Sequence, residues 1–362
     1  PFCSNSILIE LLAAGIKAVP TGLDHGTVTL VVDGAPFEVT TLREDVETDG
    51  RRAVVRHGRD FDADARRRDF TMNALSLSAD GALHDPVGGL PDLLARRVRF
   101  IGSPRQRIAE DYLRILRFFR FHAAYGDGPF DAEGLAACVA LRDGLATLSR
   151  ERVRVELLKL IAARRAPQAV AQIAQAGLLG PLLAGVAYVA RFGRLTRIET
   201  AMGLRPDATL RLAALAVLVT EDAVRLRDML RLSNAETERL SKAARALAPL
   251  HGAVAPPAPG ELRHLMFAHG QRAARDAALL AHAESGAGAE DAGWLSAHAF
   301  LRDTPEPRLP FSGGDLIARG LSPGTQVGRA LKHLQAGWIR AGFPKDAVTL
   351  ARLLDEALAA SE

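Results

Sequence analysis

The chain has 362 residues, 48% hydrophobic and 24% charged, an ordinary balance for a soluble globular protein with room for two or three domains. No apolar run is long enough to cross a membrane and the N-terminus lacks a basic-then-apolar leader pattern. The two cysteines, Cys3 and Cys138, exclude a disulfide framework or a zinc ribbon and point to a reducing, cytoplasmic setting. Net charge is +4, with arginines clumped at 66–68, 96–99, 114–120 and 150–154; this suits a polyanionic partner such as RNA, and is equally what a GC-rich gene would produce.

In chain order, residues 1–20 read as the end of a helix closed by Gly15 and followed by an extended segment. TVTLVVDG and APFEVTTL are two strand-like runs joined by a tight Asp33-Gly34 turn. Phe37 and Val39 alternate with Glu38, which therefore faces away from the apolar side of its strand. Residues 43–64 are rich in charge and poor in large apolar groups, and read as a loop. FTMNALSLS is a shorter apolar element; a Gly88-Gly89 break, a short helix from Pro91 and a last strand VRFIG follow. Beyond Pro104 the pattern is helical throughout, broken chiefly by AVAPPAPGE at 253–261.

Residues 107–121, RIAEDYLRILRFFRF, carry the chemistry. Taken as one helix at about 100° per residue, they gather Arg107, Glu110, Asp111, Arg114 and Arg117 on one face. Ile108, Tyr112, Ile115, Leu116 and Phe119 lie opposite. Such a face is either solvated and laced with ion pairs, or a recognition surface. On the second reading Asp111 offers an acceptor and Arg114 a planar donor fork, which is what reading the Watson–Crick edge of a base requires. Phe118, Phe119 and Phe121 read as core, as do Trp338 and Phe343, and Ser149 reads as a helix N-cap. Asp62-Ala63-Asp64 lies in the charged stretch and reads as solvated linker. His84-Asp85 lacks further ligands for a metal and fits a turn.

RRRDFTMNALSL at 66–77 and EDYLRILRFFRF at 110–121 resemble the bacterial-type CCA-adding tRNA nucleotidyltransferases and poly(A) polymerases. The likeness extends through VPTGLDHGTVTL, FEVTTLREDVETDGRRAVV, DPVGGLPDLLARRVRFIG, LSRERVRVELLKLI, LRLSNAETERL and the tail segment at 312–339. It implies an α+β protein: a nucleotidyltransferase head with a small sheet over 1–102, incomplete at its N-terminus, then helical neck (103–165), body (166–260) and tRNA-binding tail (261–362). It also implies template-independent addition of CMP and AMP from CTP and ATP to the tRNA 3′ end, CCA addition rather than A-addition or polyadenylation alone.

In that resemblance Asp111 and Arg114 read the base and Glu110 steadies Arg114. Arg67 and Arg68 grip the triphosphate; Asp69 and Asn73 contact ribose or position the arginines, and Arg117 reaches phosphate. Asp49, Gly50 and Arg51 form the core of a flexible loop, while Arg150, Arg152 and Arg154 face tRNA phosphates. The family also carries an Asp-x-Asp on its first strands that holds two Mg²⁺ ions. That block is not found here, so catalytic and metal residues remain unassigned, with Glu38 as an auxiliary carboxylate. Three readings follow: the active enzyme; a non-catalytic nucleotide- and RNA-binding remnant; and, on His84-Asp85 alone, a phosphohydrolase. A head without its first strands has an exposed sheet edge through which two copies would pair.

Overall fold

The computed structural model describes residues 15–22, 27–49, 52–57 and 60–360. It forms two units, Pro1–Glu156 and Leu157–Glu362. The helix end expected before Gly15 lies outside the described residues, though Gly15 itself has φ +75°.

In the first unit, β1 (Lys17–Gly22), β2 (Thr27–Val32) and β3 (Ala35–Thr40) form an antiparallel sheet in that order. Asp33 and Gly34 have φ of 50° and 79°, the two left-handed residues that a tight type I′ turn needs, so the expected hairpin is present. Its ladder runs from Val32 opposite Ala35 to Thr27 opposite Thr40. β3 is exposed along its whole length: Phe37 is 54% exposed, and no described residue covers the side expected to be apolar. Glu38 stands opposite Thr29 in the ladder.

The loop expected over 43–64 is instead an antiparallel pair, β4 (Arg43–Asp49) with β5 (Arg52–His57), followed by helix α1 (Phe61–Arg66). A two-stranded ladder is held by backbone bonds, so a charged sequence forms it without any alternation of apolar residues. Asp49 pairs with Arg52 at the ladder's end; Gly50 and Arg51 lie outside the described residues. Asp60 starts α1, its Oδ1 accepting the N–H groups of Asp62 at 2.8 Å and Ala63 at 3.1 Å.

A 3₁₀ turn (Thr71–Asn73) and the short strands β6 (Ser76–Leu77) and β7 (Leu83–His84) lead to α2 (Gly89–Leu94), which begins two residues before Pro91. The strand expected at VRFIG reduces to a bridge between Phe70 and Phe100. Flanking it, Thr71 N–H donates to Arg99 O at 3.0 Å and Ile101 N–H to Asp69 O at 3.1 Å. These bonds fix the backbone on both sides of Phe70, Asp69 included. Gly89 packs against the same turn, where a Cβ would sit 2.1 Å from Thr71 O, so no larger residue fits.

The helix expected over 107–121 is two: α3 (Pro104–Glu110) and α4 (Leu113–Tyr125). Asp111 between them is extended, φ −156° and ψ 106°. Its side-chain Oδ1 accepts the Leu113 N–H at 3.1 Å, a local bond that competes with helix continuation. Below α4 lies the aromatic core. Phe118 and Phe119 are fully buried, with ring centroids at 5.3 Å (Phe100–Phe118) and 5.3 Å (Phe119–Phe130). Phe121 is half-buried, under the guanidinium of Arg120 at 4.2 Å. After α5 (Ala132–Ala140), the helix α6 (Arg150–Ala162) starts at Ser149, whose Oγ accepts the Arg152 N–H at 3.4 Å, as the N-cap reading expects.

Every described element of the second unit is helical. Buried arginines organise its centre: Arg191 donates Nε to Ala214 O and Nη2 to Ala213 O, both at 2.8 Å, closing the C-terminal end of the helix Ala208–Ala216. Burial lowers the Arg191 pKa, opposed by its bond to Glu284. Trp338 and Phe343 pack at 4.9 Å in a separate apolar cluster with Leu334 and Leu354, as expected of packing residues. Among the described residues no helix is long and apolar enough to cross a membrane.

Candidate functional site

The residues singled out in RRRD and EDYLR meet in the first unit, about forty residues apart in sequence, through bonds from α3 and α4 to the turn after α1. Arg114 Nη2 donates to the backbone carbonyl of Arg67 at 3.2 Å, and Arg107 Nη2 donates to the carbonyl of Arg66. Two arginines therefore clamp the backbone of the arginine run itself. Glu110 bridges them, its Oε2 accepting from Arg107 Nη1 at 2.9 Å and Arg114 Nη1 at 2.5 Å. Glu110 and Arg114 stand one turn apart across the Asp111 break, and that spacing brings the two side chains into contact.

Arg114 has five N–H donors. Nη1 spends both of its hydrogens, on Glu110 and on Arg107 O at 2.7 Å, and Nη2 spends one on Arg67 O. Among the described residues no bond engages Nε or the second Nη2 hydrogen. Those two donors share one edge of the guanidinium plane, a ready bidentate fork. Asp111 does not bond to Arg114. Its Oδ1 is on Leu113 N–H and its Oδ2 accepts from Arg152 Nη2 at 2.7 Å. Each of those oxygens still has capacity for a second donor. Arg152 is thus bonded to Asp111, while the side chain of Arg150 is exposed and that of Arg154 half-buried on the same helix.

Asp69 is 6% exposed and holds three groups: its own backbone neighbour Phe70 N–H, Asn73 Nδ2 at 2.8 Å, and Arg117 Nε at 2.6 Å. Arg117 also lies 3.8 Å from Glu156, which accepts from Arg120 Nε at 2.5 Å. Asp69, Asn73 and Arg117 form one network around the buried Asp69 carboxylate.

Two features were not legible in advance. Asp64 is 6% exposed, on α1 rather than in a solvated linker, so that reading is corrected. The spacing of Asp64 to Arg67 and Arg68, three and four residues, was the available signal. Glu156 is buried and joins Arg117 to Arg120 from a helix 36 residues away in sequence from Arg120, for which a sequence carries no signal. Asp92, fully buried, similarly holds Arg97 and Arg99; burial favours its neutral form, but bonds from Thr71, Arg97 and Arg99 prevail and keep its pKa below the usual carboxylate range.

His84 and Asp85 do not act together. His84 Nε2 lies 2.7 Å from Asp62 Oδ1, while the Asp85 carboxylate accepts the N–H groups of Gly89 at 2.7 Å and Leu90 at 2.9 Å, shaping a turn. Among the described residues no three His, Cys, Asp or Glu side chains gather so as to hold a metal ion, and Glu38 has no carboxylate opposite it in the ladder. The described residues therefore do not fit a magnesium site.

Comparison with known proteins gives a consistent set of relatives. Residues 4–99 match the family model of the poly A polymerase head domain, and residues 130–189 the model described as "Probable RNA and SrmB- binding site of polymerase A". The chain is 34% identical over 341 residues to the mitochondrial CCA tRNA nucleotidyltransferase 1 of Mus musculus, covering 91% of this chain and 75% of that protein. It is 30% identical over 357 residues to the CCA-adding enzyme of Limosilactobacillus fermentum, covering 95% and 84%. Its fold resembles the Bacillus stearothermophilus CCA-adding enzyme solved with CTP: TM-score 0.68 at 24% identity, over 95% of this chain and 85% of that one. The Thermotoga maritima CCA-adding enzyme complexed with tRNA gives a TM-score of 0.65 at 19% identity, over 98% and 84%.

Proposed function

The chain belongs to the family of CCA-adding tRNA nucleotidyltransferases, and from that premise we propose how its first unit selects nucleotides. Asp111 and Arg114 read the base of CTP or ATP in place of a template strand, and Arg67 and Arg68 grip the triphosphate. Cytosine and adenine each present an amino donor beside a ring-nitrogen acceptor on the pairing edge. An aspartate acceptor beside an arginine fork matches that order. Uracil and guanine present a carbonyl where the amino group would be and an N–H where the acceptor would be, so both contacts become repulsive. Asn73 and Arg117, tied to Asp69, border the ribose and phosphates. Nucleotides are added as CMP and AMP to the tRNA 3′ end, with release of pyrophosphate.

The observation that carries this reading is the bond from Arg114 to the Arg67 carbonyl, which joins the base reader to the triphosphate grip. Magnesium, which the family resemblance implies, is not assigned to any described residue, and no step is routed through it. The division into head, neck, body and tail, an approach of Arg150 and Arg154 to tRNA phosphates, pairing of two copies along the exposed β3 edge and a cytoplasmic setting all belong to the same proposal. Light scattering tests the pairing; a monodisperse monomer would remove it.

The test of the central reading is equilibrium binding of all four nucleoside triphosphates to the full chain, alongside incorporation of labelled CTP and ATP, with magnesium, into tRNA ending before CCA. CTP and ATP should bind at least tenfold more tightly than UTP and GTP. Equal affinity for all four would overturn the assignment of Asp111 and Arg114.

A further inference from the structure

We infer that Asp64 is a positioning residue for the triphosphate grip. This rests on the reading above that Arg68 contacts phosphate. The Asp64 carboxylate is 6% exposed and faces both arginines of the run: Oδ1 accepts from Arg67 Nε at 3.1 Å, and Oδ2 accepts from Arg68 Nε at 3.1 Å and Nη2 at 2.9 Å. Arg68 Nη1 donates in addition to Asn73 O at 3.0 Å.

The count of donors gives the geometry. Arg68 spends Nε and one hydrogen of Nη2 on Asp64 and one hydrogen of Nη1 on the Asn73 carbonyl. One hydrogen of Nη1 and one of Nη2 are left over, and the Arg68 side chain is 49% exposed. A buried acceptor behind the guanidinium thus holds its Nε/Nη2 edge and orients the outer fork, whose donors phosphate oxygens accept. Without Asp64 that fork is one rotamer among many, and binding would have to order it.

Two effects of Asp64 oppose each other, which makes the inference sharp. Its negative charge behind the arginines weakens their field at an incoming anion, so on field alone its removal would tighten triphosphate binding. Positioning predicts the reverse. The arginines themselves are partly exposed and lose no solvation when Asp64 is neutralised, so the substitution leaves no buried unpaired charge.

The experiment is calorimetric titration of the full chain with tripolyphosphate, CTP and cytidine. Asp64→Asn keeps the volume and one acceptor; it should weaken tripolyphosphate and CTP about tenfold and leave cytidine, which has no phosphate, within about twofold. Asp64→Glu keeps the charge and displaces the acceptors, so it should weaken tripolyphosphate as well and serves where the Asn variant folds poorly. In an Arg68→Ala background Asp64→Asn should lose most of its effect, the remainder acting through Arg67, which Asp64 also holds. Unchanged or tighter tripolyphosphate binding by either Asp64 variant, or full additivity with Arg68→Ala, overturns the inference. Failure of the underlying reading looks different: Arg68→Ala by itself would then leave tripolyphosphate binding unaltered.

Discussion

Arg114→Lys separates base reading from phosphate binding at one position. The lysine keeps the positive charge and loses the planar fork, so whatever changes reports geometry rather than net charge. In the structure Arg114 has two donors on one edge of its plane left for a ligand, its other three being spent on Glu110, Arg107 O and Arg67 O. A bidentate pair to N3 and O2 of cytosine contributes ~2 kcal/mol, which corresponds to about a thirtyfold loss of affinity for CTP; adenine offers N1 alone, so the loss for ATP is smaller. Tripolyphosphate carries no base and should bind the variant within about twofold of the parent. Titration calorimetry with CTP, ATP, UTP and tripolyphosphate measures all of these on one sample. The preference for CTP over UTP should shrink together with CTP affinity, because the repulsion against uracil's N–H comes from the same fork. If tripolyphosphate weakens as much as CTP, Arg114 acts by holding the Arg67 backbone and not by reading bases. If CTP is unaffected, the base-reading role falls altogether.

Three further outcomes follow from particular contacts. Arg152→Ala removes the partner of Asp111 and should change CTP affinity while leaving the salt dependence of tRNA binding intact; a loss of about one unit of that slope with CTP unchanged would instead make Arg152 a phosphate contact. His298 is 5% exposed and its pKa is pushed down to about 4, by burial first and then by His282 and Arg275. Because the folded chain keeps His298 neutral while the unfolded chain protonates it from about pH 6.5 downward, this contribution is fully present above pH 6.5. It is lost as pH falls toward 4, to the extent of ~3 kcal/mol. Urea midpoints measured from pH 7.5 to 4.5 should fall accordingly and fall less in His298→Leu; parallel curves for the two proteins would refute it. Gly89→Ala places a Cβ against the Thr71 carbonyl and should cost ~2 kcal/mol or more, read as a lowered melting temperature; an unchanged melting temperature would show that the turn yields freely.

The features legible in the sequence are those set by neighbours along the chain. The Asp33-Gly34 turn follows from residues that tolerate positive φ, and the Glu110–Arg114 pair follows from helical spacing even though the helix breaks between them. Phe119 is core because it lies on the apolar stripe, whereas Phe118 falls on the polar arc of that single wheel and is buried in the structure all the same. What periodicity hides is a single extended residue: Asp111 keeps its place on a helical wheel in the sequence and leaves the helix in the structure. Composition likewise misread residues 43–57, because strand pairing is a backbone property that charged side chains do not forbid.

The site itself was half legible for a related reason. Its residues were identifiable, but the bonds that assemble them run from side chains to backbone carbonyls 41 and 47 residues away: Arg107 to Arg66 O, and Arg114 to Arg67 O. A carbonyl has no residue identity, so no pattern of amino-acid types records it as a partner. Both clamps act on main-chain oxygens, so a side-chain substitution at Arg66 or Arg67 leaves the acceptor of the clamp itself in place, whereas a clamp built from side-chain ion pairs would be lost with the substituted residue.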